Sequence, residues 1–205
     1  MTDETPRAGT VFWNGILPEN PVYRSLLGMC PTLAVTNNLN SAMTMAAATT
    51  FVLVASNLMI SLIRSWLRPH LRILVFTLTI ATFVTIVDKL LAAYMFSMSQ
   101  QLGPYIPLII VNCLIVSRCE ACASRQPVST ALLDGLGMGA GFALALASIA
   151  TIRELLGSGT LFGLAVLPES WPGWGIMVLP PGAFLTLGAL LGLTNSIRNA
   201  PTTRS

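Results

Sequence analysis

Four long apolar runs dominate the pattern of hydrophobic and polar positions along the chain. Each has about the length that a helix needs to cross ~30 Å of hydrocarbon, so each predicts a membrane span. The runs are residues 42–63, 73–94, 128–149 and 176–193. The stretch 1–20 before them is polar except for a patch at Val11, Phe12, Trp13, Ile16 and Leu17. It has no basic start followed by an apolar core, so we interpret it as a leader rather than a signal peptide.

Two shorter apolar stretches, 21–37 and 104–117, are interrupted near their centres. Cys30 lies at the first interruption, between a glycine and a proline, and Cys113 lies at the centre of the second. A proline precedes the cysteine by nine residues in both stretches, and Cys113 follows Cys30 by 83 residues. Apolar stretches of this length are typical of re-entrant or discontinuous membrane segments.

The distribution of basic residues indicates whether these two stretches cross the membrane. If both cross, six spans leave nine basic residues on one side and two on the other. If both fold back, four spans divide the same residues seven against four. The positive-inside rule favours six spans with both termini in the cytoplasm. The nine are Arg7, Arg24, Arg64, Arg68, Arg72, Arg118, Arg125, Arg198 and Arg204, and the two are Lys89 and Arg153.

The offset of 83 residues also places the run 42–63 on the fifth predicted span. Because three spans per unit is an odd number, the second unit enters the membrane from the opposite side. The predicted fold is an all-α integral membrane protein of six transmembrane helices, formed by two inverted-topology three-helix repeats, with helices 1 and 4 broken at the cysteines. The predicted parts are a cytoplasmic or interfacial leader (1–20), a membrane domain (21–197, with repeats at about 21–98 and 104–197) and a cytoplasmic tail (198–205).

Composition and charge support a membrane protein and exclude several other classes. A hydrophobic share of 54%, a charged share of 9% and a mean hydropathy of +0.73 exclude an ordinary soluble domain. The net charge of +3 does not indicate nucleic-acid binding, because the basic residues are spread over loops. The fifth predicted span carries a run of glycines and alanines from Gly135 to Ala147, which predicts close packing against a neighbouring helix or subunit.

Cys30 and Cys113 are the main candidates for chemistry. A cysteine in a membrane segment is by default a small hydrophobic residue. Both cysteines, however, lie at interruptions, where irregular backbone is tolerated only inside protein or beside a cavity. The repeat is expected to bring them together, so we predict that they face each other and hold a redox centre. Two thiolates are fewer than the four that a 2Fe–2S cluster needs, so a second, similar subunit would have to supply the others.

Three other groups have a weaker signal. Cys119 and Cys122 form a C-x-x-C sequence without a second pair or a histidine cluster, so we interpret them as reduced thiols without a metal. Asp134 lies inside the fifth predicted span, and an intramembrane carboxylate is a candidate for an ion pathway. Arg153 and Glu154 are adjacent and do not face each other on a helix, so we interpret them as the flank of a span.

The residues alone leave three functions open. The first is an electron-carrying subunit of an ion-translocating oxidoreductase, and the second is a secondary transporter, which also has inverted repeats and broken helices. The interruptions carry polar residues without charge, which gives little support to a carrier of charged solutes. The third is a structural membrane scaffold in which the cysteines only pack. No recognisable nucleotide-binding or hydrolase motif is present in the sequence.

Five segments resemble the E subunit of the Rnf electron-transport complex, a relative of the D subunit of the sodium-pumping NADH:quinone oxidoreductase. They are GMCPTLAVTN (28–37), IPLIIVNCLIVSRCEACA (106–123), LLDGLGMGAGF (132–142), IRELLGSGTLFG (152–163) and LPPGAF (179–184). The last segment favours the Rnf branch over the quinone-reductase branch. The sequence departs from the usual pattern at Cys119 and Cys122, where relatives typically carry alanine and an aromatic residue.

The resemblance implies a subunit of a Na⁺- or H⁺-translocating NADH–ferredoxin oxidoreductase in the bacterial inner membrane. It implies that Cys30 and Cys113 supply two of the four ligands of a 2Fe–2S cluster, shared with a homologous A subunit of opposite orientation. It also implies partners that carry flavins and iron–sulfur clusters, the Rnf B, C, D and G subunits. It implies contact with membrane lipid and with no nucleic acid, and no complete active site in this chain alone.

Overall fold

The computed structural model describes residues 12–13, 15, 20–66, 69–162, 164–165 and 173–198. Most of the predicted leader, including Val11, Ile16 and Leu17 of its apolar patch, and most of the predicted tail lie outside these residues. The α-helices are α1 (Met29–Val35), α2 (Leu39–Ile63), α3 (Arg72–Tyr94), α4 (Phe96–Leu102), α5 (Cys113–Arg118), α6 (Val128–Gly157), α7 (Gly175–Val178) and α8 (Pro180–Arg198). Short 3₁₀ helices lie at Pro69–Leu71 and Ile106–Ile109, and a π-helical turn at Cys119–Ala123 continues α5.

Four helical segments in the described part of the chain are long and apolar enough to cross a membrane. They are Leu39–Ile63, Arg72–Tyr94, Ile106–Ala123 and Val128–Gly157. Three of them, α2, α3 and α6, contain or closely match long runs predicted from the sequence. The remaining segment, Ile106–Ala123, contains the interruption around Cys113, because the 3₁₀ helix, α5 and the π turn follow one another along it.

The prediction of one continuous helix over 176–193 is wrong. The chain leaves helical geometry at Leu179, whose φ of −78° and ψ of 159° are extended, and α8 begins at Pro180. A residue before proline is kept out of the α region by the proline ring, and the two prolines here enforce a break. The run therefore divides into the single turn of α7 and the longer helix α8.

Six membrane crossings stay a prediction. The stretch 21–37 consists of turns up to Gly28 and then α1, whose seven residues cannot span a bilayer as a helix. The helix α1 packs against α2 and α8.

The packing of α2 against α6 is the most extensive contact between helices. Gly139 faces Thr50 of α2, and Gly135 faces Asn57 and Val54 of the same helix. The prediction that the small residues of the fifth run allow close packing against a neighbouring helix is confirmed. On another side of α6, Gly137 and Gly141 lie against Phe12 and Gly15 of the leader.

The segment after α6 reverses direction through a small antiparallel hairpin. Thr160 pairs with Ala165, and Leu161 pairs with Leu164. Gly159, with a φ of +67°, lies between the end of α6 and the first strand. Between this hairpin and α7, the structure describes only residues 173–174.

Candidate functional site

Cys30 is the second residue of α1. The helix begins after Gly28, whose φ of +76° lies in the left-handed region, and Pro31 follows in the first turn. Proline is tolerated there because the first N–H groups of a helix have no partner within the helix. The Cys30 side chain is exposed in the isolated chain.

Cys113 is the first residue of α5. The side chain of Asn112 caps this helix, since its Oδ1 accepts a hydrogen bond from the backbone N–H of Leu114 at 3.0 Å. The Cys113 side chain is also exposed. Each of the two predicted site cysteines thus lies in the first turn of a short helix.

A direct contact joins the two interrupted stretches. The backbone N–H of Gly28 donates a hydrogen bond to Sγ of Cys113, with a distance of 3.0 Å between N and Sγ. The beginning of α1, two residues before Cys30, is therefore held against Cys113.

A glycine is needed at position 28 for this contact. A Cβ atom there would lie 2.7 Å from Cε2 of Phe142, which is buried on α6. It would also lie 3.6 Å from Oδ1 of Asn112. The approach of the two stretches therefore depends on the absence of a side chain at Gly28.

The donors around Cys113 fit an anionic sulfur centre. Asn112 is 1% exposed, and its Nδ2 has no hydrogen-bond partner among the described residues. A buried N–H group without an acceptor costs about 1–3 kcal/mol, so an acceptor next to Cys113 would relieve a real penalty. The residues present are thus chemically suited to a thiolate-bound group, and their donors are of the kind that tune such groups.

Among the described residues, no group of three or more histidine, cysteine, aspartate and glutamate side chains could hold a metal ion. Cys30 and Cys113 are two thiols, half of the four that a 2Fe–2S cluster requires as ligands, and their ligand role stays a prediction.

Asp134 has a partner that the sequence pattern did not indicate. Nε of Arg118 donates to its Oδ2 at 2.8 Å, and Nη2 of Arg118 donates to its Oδ1. Asp134 is buried, so this is a bidentate ion pair largely shielded from solvent. The role of Asp134 in an ion pathway stays a prediction, and an ion could bind both oxygens only after Arg118 moved.

Cys119 and Cys122 are both buried in the π-helical turn that follows α5. Sγ of Cys119 donates to Oδ1 of Asn57 on α2, with a distance of 3.6 Å. The two thiols therefore pack inside the helix bundle, and their interpretation as thiols without a metal stays a prediction.

The interpretation of Arg153 and Glu154 as a span flank is wrong. Both lie on α6, and they are 2% and 4% exposed. Glu154 accepts a hydrogen bond from the backbone N–H of Leu39 at 2.7 Å, at the beginning of α2. Hydropathy ended the predicted span at 149, whereas the G-S-G sequence at 157–159 was a signal that the helix continues further.

The described fold and site define a class of protein. It is a helical membrane protein in which two cysteines, far apart in the sequence, lie at the beginnings of two short helices, and the segments that carry them contact each other. The chain belongs to the Rnf-Nqr family, since the family model described as "Rnf-Nqr subunit, membrane protein" matches residues 8–191.

Several curated relatives are similar over most of their length. The E subunit of the Na⁺-translocating ferredoxin:NAD⁺ oxidoreductase complex of Acetobacterium woodii is 47% identical over 181 residues, 88% of this chain and 92% of the relative. The E subunit of the ion-translocating oxidoreductase complex of Pasteurella multocida is 42% identical over 201 residues, 92% of this chain and 90% of the relative. The protein of the same name from Thioalkalivibrio sulfidiphilus is 44% identical over 197 residues, 90% of this chain and 86% of the relative.

Proposed function

We propose that this chain is the membrane-embedded E subunit of an ion-translocating ferredoxin:NAD⁺ oxidoreductase complex. The observation that carries the proposal is similarity along nearly the whole chain to relatives that bear this name, 47% identical in one case over 92% of the relative. The name describes a multisubunit enzyme, and this chain is proposed to act as one of its subunits rather than alone.

Within that complex, Cys30 and Cys113 are proposed to ligate half of a 2Fe–2S cluster. A homologous A subunit supplies the other two cysteines, which agrees with the presence of only two candidate thiols at this site and with their exposure in the isolated chain. When bound, the cluster supplies one-electron transfer between redox groups of the B, C, D and G subunits on the two membrane faces. The backbone N–H of Gly28 donates to Sγ of Cys113, and the buried Nδ2 of Asn112, which has no acceptor among the described residues, would supply a further donor to a bound cluster.

The proposed topology has six crossings, as two inverted three-helix repeats, with both termini in the cytoplasm of a bacterial cell. The division of basic residues, nine against two, supports it. The contact between Gly28 and Cys113 also supports it, because an inverted repeat places the interruptions of its two halves side by side. The translocated ion is Na⁺ or H⁺, and Asp134 is the proposed pathway residue in this chain.

Purification of the tagged chain in mild detergent tests the proposal. We expect other membrane and peripheral subunits that carry flavin and iron to co-purify, and we expect the preparation to reduce NAD⁺ with reduced ferredoxin. Two results would contradict it: the chain purifies alone, or membranes of a deletion strain retain the full ferredoxin-dependent reduction of NAD⁺. Solute exchange by the iron-free chain alone in liposomes would favour the transporter instead.

A further inference from the structure

The helix α6 is the longest element of the described chain, with 30 residues from Val128 to Gly157. A helix of this length extends about 45 Å. It carries buried charged residues towards both ends: Asp134 near its beginning, and the adjacent Arg153 and Glu154 near its end. Buried charges are costly unless they are paired, so the partners of Asp134 and Arg153 indicate which elements the helix holds in place.

Near its beginning, α6 holds the helix that starts with Cys113. Arg118, the last residue of α5, forms the bidentate ion pair with Asp134. This pair fixes the direction of the short helix as well as its position, because two parallel hydrogen bonds restrict rotation. The anchored end of α5 is opposite to the end that carries Cys113.

Near its end, α6 holds the helix that carries Cys30. Nη1 of Arg153 donates to Oγ1 of Thr36 at 2.6 Å and lies 3.5 Å from the carbonyl oxygen of Leu33. Leu33 lies in the last turn of α1, and Thr36 is its C-terminal cap. The anchored end is again opposite to the end that carries the cysteine.

The other donors of Arg153 fix the guanidinium itself. Nε donates to the carbonyl of Met177 at 3.0 Å, and Nη2 donates to the carbonyls of Val178 and Leu179 at 3.0 and 3.3 Å. These carbonyls end α7. Two helix ends thus direct carbonyl groups at one cation, and such carbonyls stabilise a buried arginine that forms no ion pair among the described residues.

Neither short helix can hold its own position. The helices α1 and α5 have seven and six residues, and isolated helices below about 12 residues are marginal in water even for favourable sequences. Their placement therefore depends on tertiary contacts: the hydrogen bond from Gly28 to Cys113 joins their cysteine-bearing ends, and the buried charged contacts with α6 hold their opposite ends.

We infer that α6 holds the two cysteine-bearing helices in place. Asp134 and Arg153 are positioning residues that set the separation and orientation of Cys113 and Cys30. The positioning role is inferred from the contacts of α6. It rests on the proposed function only for the identity of the group that the two cysteines ligate.

The first test uses two conservative variants of the purified complex, each with a matched control. Thr36→Val removes the hydroxyl that accepts from Arg153. Its control is Thr49→Val, since Thr49 is equally buried but its hydroxyl donates within its own helix, to the carbonyl of Met45. Asp134→Asn removes the carboxylate that pairs with Arg118. Its control is Glu120→Gln, which breaks the half-exposed pair with Arg72.

Both variants are expected to change the g values of the membrane 2Fe–2S signal and to lose iron to a chelator on the order of 10-fold more readily, which is the size of effect seen when residues that orient metal ligands are replaced. The controls are expected to match the parent complex. Asp134→Glu, which keeps the charge, is expected to restore the spectrum at least in part. A parent-like spectrum in both Thr36→Val and Asp134→Asn would overturn the inference, even if Asp134→Asn stopped ion movement.

The second test does not require a cluster. Nitroxide labels are attached to Cys30 and Cys113 of the full chain with Cys119→Ala and Cys122→Ala, and the distribution of distances between the labels is measured in the membrane. We expect Thr36→Val and Asp134→Asn to broaden or shift this distribution, and Thr49→Val and Glu120→Gln to leave it unchanged. Unchanged distance distributions in all four variants would overturn the positioning role of α6. If the distances respond to the variants but the parent complex contains no iron, the proposed cluster is refuted and the positioning role of α6 is retained.

Discussion

Gly28 begins α1 with a φ of +76°, and its N–H donates to the sulfur of Cys113. It meets two independent constraints, a left-handed backbone and the ring of Phe142 where a Cβ would lie. The sequence alone indicated Cys30 and Cys113 through their equal spacing from a proline and their offset of 83 residues. It could not indicate the hydrogen bond of Gly28, or the buried Nδ2 of Asn112 that has no acceptor among the described residues, because both depend on how the two stretches meet in space.

Gly28→Ala is expected to destabilise the chain and weaken the contact with Cys113. The left-handed conformation costs an alanine about 1–2 kcal/mol, and the steric conflict with Phe142 adds to it. Unfolding in detergent, followed by circular dichroism, measures the loss. Gly175→Ala is the matched control, because no atom of the described residues lies within 4 Å of its added Cβ and its φ is not positive. Equal unfolding midpoints for the two variants would show that Gly28 is not constrained in this way.

At the scale of elements, hydropathy predicted α2, α3 and most of α6, because long apolar runs of about 20 residues have few alternatives to a helix. It ended α6 too early at 149, because the hydrogen bonds that satisfy Arg153 and Glu154 come from distant parts of the chain. It also joined α7 to α8, because an average over a window is insensitive to two prolines. The packing of α2 on α6 could be predicted from the glycines, although their partners could not.

Gly139→Ala is expected to weaken the packing of α2 against α6. The added Cβ meets the side chain of Thr50 closer than van der Waals contact allows, and such overpacking costs about 1–3 kcal/mol. Gly192→Ala on α8 is the control, since its Cβ would meet no atom within 4 Å in the part of the chain that the structure describes. Alanine is the better helix former by about 1 kcal/mol, so the control is expected to be neutral or slightly stabilising. The comparison is made by thermal unfolding in detergent, and a loss as large in Gly192→Ala would contradict steric packing as the cause.

At the scale of the whole molecule, the arrangement of charge in the membrane is the feature that the sequence predicts most directly. Lys89 and Arg153 are the only basic residues on the predicted outer side. Arg153 is buried among carbonyl groups, so it does not act as a solvent-exposed topological charge. The burial of Arg153 strengthens the asymmetry of basic residues between the two predicted sides of the membrane. One of the two residues that conflict with the positive-inside rule is held inside the protein by hydrogen bonds.

Reporter fusions test the six-span topology. Alkaline phosphatase, which is active only outside the cytoplasm, is expected to be active after Gly159 and inactive after Arg125 or at the C-terminus. A fluorescent protein, which fluoresces when fused in the cytoplasm, is expected to give the complementary pattern. An active phosphatase at the C-terminus would exclude six crossings with both termini inside.

Cys30 and Cys113 are proposed to ligate half of a shared membrane cluster, and the most direct measurement of this is iron content together with EPR of the purified complex in single-cysteine variants. We expect Cys30→Ser and Cys113→Ser each to lose the membrane 2Fe–2S signal. Cys119→Ser and Cys122→Ser, at the buried C-x-x-C sequence, are expected to retain it. An unchanged signal in both Cys30→Ser and Cys113→Ser would contradict the ligand role of these two cysteines.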